Sequence, residues 1–269
     1  MYTIKREGRQ CDLTLEHGLQ GLEDAFAKIR RDKINLSNPM DEDDHALICM
    51  FVAASYARTR AHREWVREQW SGPLELSREL EQRMAEATPE QKENMVRALS
   101  YPGRRQKNKG MTLAEVQAIV DQPLQTTLFS HINVMWKLFV KLDLAIYETD
   151  GRIGFITSDN PCRMFDPEGY KRPPMYRAPA LMYDSFELTL PVSPKRCLFF
   201  NRQGIEGYLD APQIIVDDFN RRTRFGCDEH FIVRRKVTKP IWFDPGVEPD
   251  DSWERTHSPA DGEGEASGD

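Results

Sequence analysis

The sequence predicts an α+β fold: a helical first half of about five or six helices, then a small antiparallel sheet with one late helix. Three observations carry this. Through residue 143, apolar residues recur at three- and four-residue spacing with charges between them. After Leu144 the pattern shortens to runs rich in Ile, Phe, Tyr and Thr, punctuated by Gly and Pro. One last helical stretch, residues 212–224, separates the final strands. With 269 residues and 39% hydrophobic content, the chain can bury a sizeable core. We expect a single domain over residues 1–243, helical over residues 1–143 and sheet-containing over residues 144–243.

The first helix is expected over residues 19–34, where Leu22, Phe26 and Ile29 fall on one face. Ser37-Asn38-Pro39 and the acids Asp41 to Asp44 then form a start signal, because capping side chains and carboxylates suit the positive end of a helix. The following helix, 46–63, is apolar on every face up to Ser55, so protein must surround it. It changes character at Arg58-Thr-Arg60-Ala-His-Arg63 and is expected to stop at Ser71-Gly72-Pro73. One or two exposed helices span 74–100, broken near Thr88-Pro89, and a basic linker covers 101–110. Thr112 with Glu115 reads as a capping box. A long helix over 124–142 carries the stripe Leu128, Ile132, Met135, Phe139, Leu142. Residues 144–148 and 153–157 read as two strands of a hairpin turned by Asp150-Gly151. Further strands are expected at 187–190, 196–200 and 230–233.

Charge is unevenly placed. Residues 244–269 hold nine acids and one base, a net of −8, and are rich in Pro, Gly and Ser with Trp253 as the one large apolar residue. Such a segment buries too little surface to offset chain entropy, so a disordered acidic tail is expected. The remaining residues carry +2, which does not indicate specific nucleic-acid binding. Five cysteines without a C-x-x-C pair, no run of apolar residues long enough to cross a membrane and no visible leader lead us to expect a cytoplasmic protein. No phosphate-binding glycine loop, dinucleotide fingerprint, G-x-S-x-G elbow or zinc spacing occurs, so no cofactor or metal is expected. The run Asp41 to His45 is metal-like in composition, but consecutive helical residues diverge around the axis, and it reads as a helix-start cluster.

Phe155-Ile-Thr-Ser-Asp-Asn-Pro161, Leu190-Pro-Val-Ser-Pro194 and Phe219-Asn220, in this order and spacing, resemble a bacterial family catalogued as domain of unknown function 4238. The helix with His131 and Trp136 is similar to the family's segment before its T-S-D-N-P strand. The helix ending in Arg58 and Arg63 resembles its arginine-bearing helix. The likeness covers most of residues 20–235. Members open with a segment resembling H-Y-x-P-x-x-Y-L-R-x-F, and the chain, starting Met1-Tyr-Thr-Ile, has none. The expectation is a truncation, a mis-assigned start or a shortened relative. The resemblance implies a fold and a site location but no reaction.

Asp159 and Asn160 stand at a strand end, before a proline that holds the chain extended. They read either as a rigid turn or as a catalytic carboxylate with an orienting amide. Arg58 continues the stripe of Leu47, Phe51 and Ala54, so its guanidinium needs an anionic partner: an internal acid, with Asp159 the candidate, or a bound ligand. Arg63 joins it as a candidate binding residue, with Ser193 and Asn220 behind. His131 interrupts an apolar helix, as a hydrogen-bonded core residue or as a catalytic one. Two functions fit. One is an enzyme acting on a phosphoester or other anionic substrate where the arginine-bearing helix meets the sheet ends. The other is a non-catalytic binding or regulatory protein in which the polar residues tie helices to sheet.

Overall fold

The computed structural model describes residues 14–99 and 110–244. The basic linker up to residue 109 and the acidic tail from residue 245 lie outside the described residues. Six helices come first: α1 (Thr14–Asp32), α2 (Glu42–Ala57), α3 (Arg60–Glu86), α4 (Pro89–Leu99), α5 (Leu113–Asp121) and α6 (Pro123–Phe139). Then follow β1 (Asp143–Glu148), β2 (Thr157–Ser158), β3 (Arg163–Phe165), β4 (Glu187–Ser193), β5 (Arg196–Asn201) and β6 (Gly207–Asp210). A late helix α7 (Gln213–Gly226) and a short β7 (Phe231–Ile232) complete an α+β architecture. Among the described residues no helix is long and apolar enough to cross a membrane.

Local chemistry sets the helix starts. Asp41 caps α2: its carboxylate accepts the Asp44 amide at 2.9 Å, and Asp44 accepts the Asp41 amide in return. Thr112 and Glu115 form the expected capping box at α5. Two expected boundaries move. The segment 46–63 is two helices, because the chain turns at Arg58 and Thr59, whose hydroxyl accepts the His62 amide and caps α3. Conversely, α3 runs through Ser71-Gly72-Pro73. A proline inside a helix costs ~3 kcal/mol, and packing against α5 and α6, with Val66 and Leu74 buried, carries the helix across it.

The main sheet has the order β3-β4-β5-β1-β6. Its pairs are antiparallel except one: β6 lies parallel to β1, which corrects the fully antiparallel expectation. The expected hairpin of 144–148 with 153–157 does not form. Strand β1 pairs with β5 and β6, leaving only Thr157–Ser158 as a strand, paired with β7 in a separate two-stranded sheet. The Asp-Gly signal gives way because the apolar residues of β1 find partners on both flanks within the larger sheet.

Strand β5 is buried from Cys197 to Asn201, and the alternation of its side chains divides two cores. Leu198 and Phe200 join Leu144, Ile146 and Leu188 against Ile48 and Val52 of α2 and Phe139 of α6. On the other face Cys197 and Phe199 meet Val216 and Phe219 of α7. The sheet is thus covered by the helical layer on one side and by α7 on the other. The apolar α2 is enclosed by α1, α6 and the sheet, as its lack of a polar face requires.

Candidate functional site

The turn between α2 and α3 faces the sheet ends across a cleft of about 420 Å³. From the helices come Phe26 and Arg30 of α1, Phe51 and Ser55 of α2, and Arg58 and Thr59 of the turn. From the other side come Thr157, Ser158, Asp159 and Pro161, with Leu190 to Val192 of β4. Phe26 stacks on Phe51, ring centroids 3.7 Å apart, which fixes α1 against α2 at the rim. The T-S-D-N-P strand end therefore lies beside the arginine-bearing turn, as the residues suggested.

The contacts within the cleft differ from those expected. Arg58 does not pair with Asp159; its guanidinium holds Glu23 of α1. Asp159 instead accepts the amides of Asp228 (2.9 Å), Glu229 (2.7 Å) and His230 (3.0 Å). Asp159 is exposed; the slight desolvation it meets works to raise its pKa, and those three amides outweigh it and leave the carboxyl below its ordinary value. A carboxylate at a strand end reaches a facing loop more readily than a guanidinium on the α2–α3 turn across a cleft, which is why the pair does not form. Ser158 accepts the Asn160 amide at 3.1 Å and completes the turn. Arg30 reaches the Val192 carbonyl at 3.4 Å, so two cations from two elements border the cleft.

The model of a family described as Protein of unknown function (DUF4238) matches residues 1–237. The chain belongs to this family. No curated protein and no solved structure matches. The match reaches beyond the 20–235 span carried by the motifs.

The remaining candidates of this DUF4238 chain are distributed elsewhere. Asn220 is fully buried in α7, accepting the Ile156 amide at 2.9 Å and donating to the Gly154 carbonyl at 3.0 Å. Ser193 accepts the Lys195 amide at 3.2 Å in the β4–β5 turn. Arg63 pairs with Glu64 at 3.0 Å and lines a separate hollow with Arg60 and Arg67. There Arg60 is held by Glu229 and Arg67 by Glu64. His131 Nδ1 lies 2.9 Å from His62 Nε2. Burial lowers the pKa of both rings, and for His62, with His131 adding to it, down to about 4. Two neutral imidazoles joined by one N–H···N hydrogen bond result.

Asn160 is buried and lines a further cavity with His62, Trp65 and Arg163. The six candidates besides Asp159 thus divide among the cleft, two other hollows and the scaffold. Sequence reasoning missed Arg30, Ser55, His62 and Arg163. His62 stood in view within the arginine run, and Arg163 follows the T-S-D-N-P motif as the one charge in Cys162-Arg-Met-Phe165. Arg30 carried no signal, because it sits among ordinary charges at a helix end.

Proposed function

We propose that the cleft between α1, the α2–α3 turn and β2 takes a small anionic ligand of the phosphoester class, and that the chain acts on it as an enzyme. The observation that carries this is the arrangement of its walls. Two arginines, Arg30 and Arg58, border a space that also receives the hydroxyl residues Ser55, Thr157 and Ser158; Thr59 lines it too, with its hydroxyl donating to the Tyr56 carbonyl. Guanidinium groups and hydroxyls are the donors a phosphoryl group needs. Glu23 is about half exposed, at 48%, so an incoming anion can replace it on Arg58 at little cost. Phe51 and Leu190 offer apolar contact for the ester's organic part. Asp159, kept ionised by the three amides, is the cleft's carboxylate; it suits orienting a hydroxyl or water better than donating a proton.

The test is calorimetric titration of the full chain with phenyl phosphate and glycerol 3-phosphate, together with an assay for released inorganic phosphate. Binding should weaken roughly tenfold or more in Arg58→Met, the loss of one charge-assisted contact. Absence of saturable binding of either ester overturns the reading. A second reading, a non-catalytic binding or regulatory protein, is favoured by one observation: Asp159 and Asn220 are both committed to backbone amides. Arg58-dependent binding without phosphate release would support it.

A further inference from the structure

A second cavity, about 410 Å³, shares Thr59 with the cleft and is built differently. Its walls carry three aromatic rings, Tyr56, His62 and Trp65, and, besides Thr59, the buried Asn160 and the half-buried Arg163 as polar members. The rings are mutually arranged: His62 lies 5.0 Å from Tyr56 and 5.5 Å from Trp65, the latter in a stacked orientation.

Arg163 is the unusual group. Its Nη1 donates to the Gly226 carbonyl at 3.2 Å, and among the described residues no carboxylate pairs with it directly, Asp228 acting only from a distance. Burial pulls its pKa down, and Cys162, Tyr56 and Asp228 oppose that shift without forming a pair. A partly desolvated guanidinium with one neutral acceptor lacks the anion that such groups take. Its position is also specific. A Cβ on Gly226 would lie 1.8 Å from Arg163 Nε, so the bare Cα of Gly226 is what admits the side chain there. A second unsatisfied group lies in the same wall: His62 Nδ1 is buried without a partner, its other nitrogen being taken by His131.

We propose that this cavity is a binding site for a planar aromatic monocarboxylate, the carboxylate on Arg163 and the ring among Tyr56, His62 and Trp65. The charge balance selects a monoanion. His62 is neutral near pH 7, so Arg163 is the only formal cation in the wall, and a dianionic phosphate would leave one charge uncompensated. The aromatic walls select a flat ring over a saturated one, through stacking contacts. The Asn160 amide offers one donor and one acceptor to a polar atom on that ring. This site stands whether or not the cleft binds a phosphoester.

The experiment is isothermal titration of the full chain with indole-3-carboxylate, with indole-3-carboxamide, cyclohexanecarboxylate and phenyl phosphate as comparison ligands. Saturable binding of the carboxylate is expected, in the micromolar range for a ligand of this size. The uncharged carboxamide and the saturated acid should each bind roughly tenfold or more weakly. Arg163→Met should cause a similar loss. Trp65→Ala alters a half-exposed ring and so keeps the fold, which circular dichroism checks; it too should weaken binding. No saturable binding below about 1 mM would overturn the proposal. So would undiminished affinity in both variants, a carboxamide binding as tightly as the acid, or an Arg163-dependent preference for phenyl phosphate.

Discussion

Replacing Asn220 by alanine separates a scaffold role from a ligand role at one of the motif positions. The side chain is fully buried and makes two hydrogen bonds to one segment, the Ile156 amide at 2.9 Å and the Gly154 carbonyl at 3.0 Å. On its other side the same segment is held by the Phe155 amide on the Pro194 carbonyl, also at 2.9 Å. Removing the amide leaves one backbone donor and one acceptor without a partner. At ~1–3 kcal/mol for each stranded group, the expected loss is about 2–6 kcal/mol. For a domain of this size that corresponds to a fall in Tm of roughly 5–15 °C. Equilibrium unfolding in urea, followed by tryptophan fluorescence and circular dichroism, measures it directly. Asn220→Leu keeps the branched shape but neither bond and should be no better than alanine. A loss below about 1 kcal/mol, or full rescue by leucine, would refute the clamp and return Asn220 to the candidate ligand-binding residues.

Two further outcomes follow from the same geometry. Asp159→Ala should cost only about 1–2 kcal/mol, because it frees three amides at an exposed loop and strands no arginine; a loss of 4 kcal/mol or more, of the kind ~3–5 kcal/mol expected for breaking a buried ion pair, would show that Arg58 depends on it after all. The His62–His131 pair makes stability pH-dependent. Both folded pKa values lie below the ordinary 6.5, so the unfolded chain binds these protons first; stability should hold above pH 6.5 and fall as the pH drops toward about 4. The pair's share is about 1–2 kcal/mol given its partial solvent access, and a double variant His62→Gln/His131→Gln that leaves the pH profile unchanged would refute it.

What could be read from residues alone follows a physical line. Helix starts were legible where a side chain caps its own backbone, as at Thr112 and Glu115, because that chemistry is local. The all-round apolarity of α2 predicted its enclosure for the same reason. Pro73 misled because the helix end it signals was overruled by packing on α5, a contact between residues far apart in sequence. The Asp150-Gly151 turn misled likewise: β1 has two flanking strands, and a hairpin competes poorly with a sheet interior. At the site, the proximity of Asp159 to Arg58 was legible from residue types that need partners, but their actual partners were not. Glu23 and the 228–230 amides are ordinary residues until the fold brings them within reach. What sets Arg163 and His62 apart, a guanidinium with one neutral acceptor and a buried Nδ1 without a partner, only three dimensions reveal.

The division of the main core between early helices and late strands bears on how the chain is made. On the ribosome α2 is complete long before β4 and β5 emerge, and Leu188, Leu190, Leu198 and Phe200 are needed to close the core around Ile48 and Val52. Until then only α1 and α6 are available to shield those side chains. A nascent chain that has just released α6 therefore presents a broad apolar face, the kind of surface on which chaperones act and from which aggregation starts. The same holds for any fragment ending before β1. The six early helices of this protein are synthesised first and must wait for the sheet.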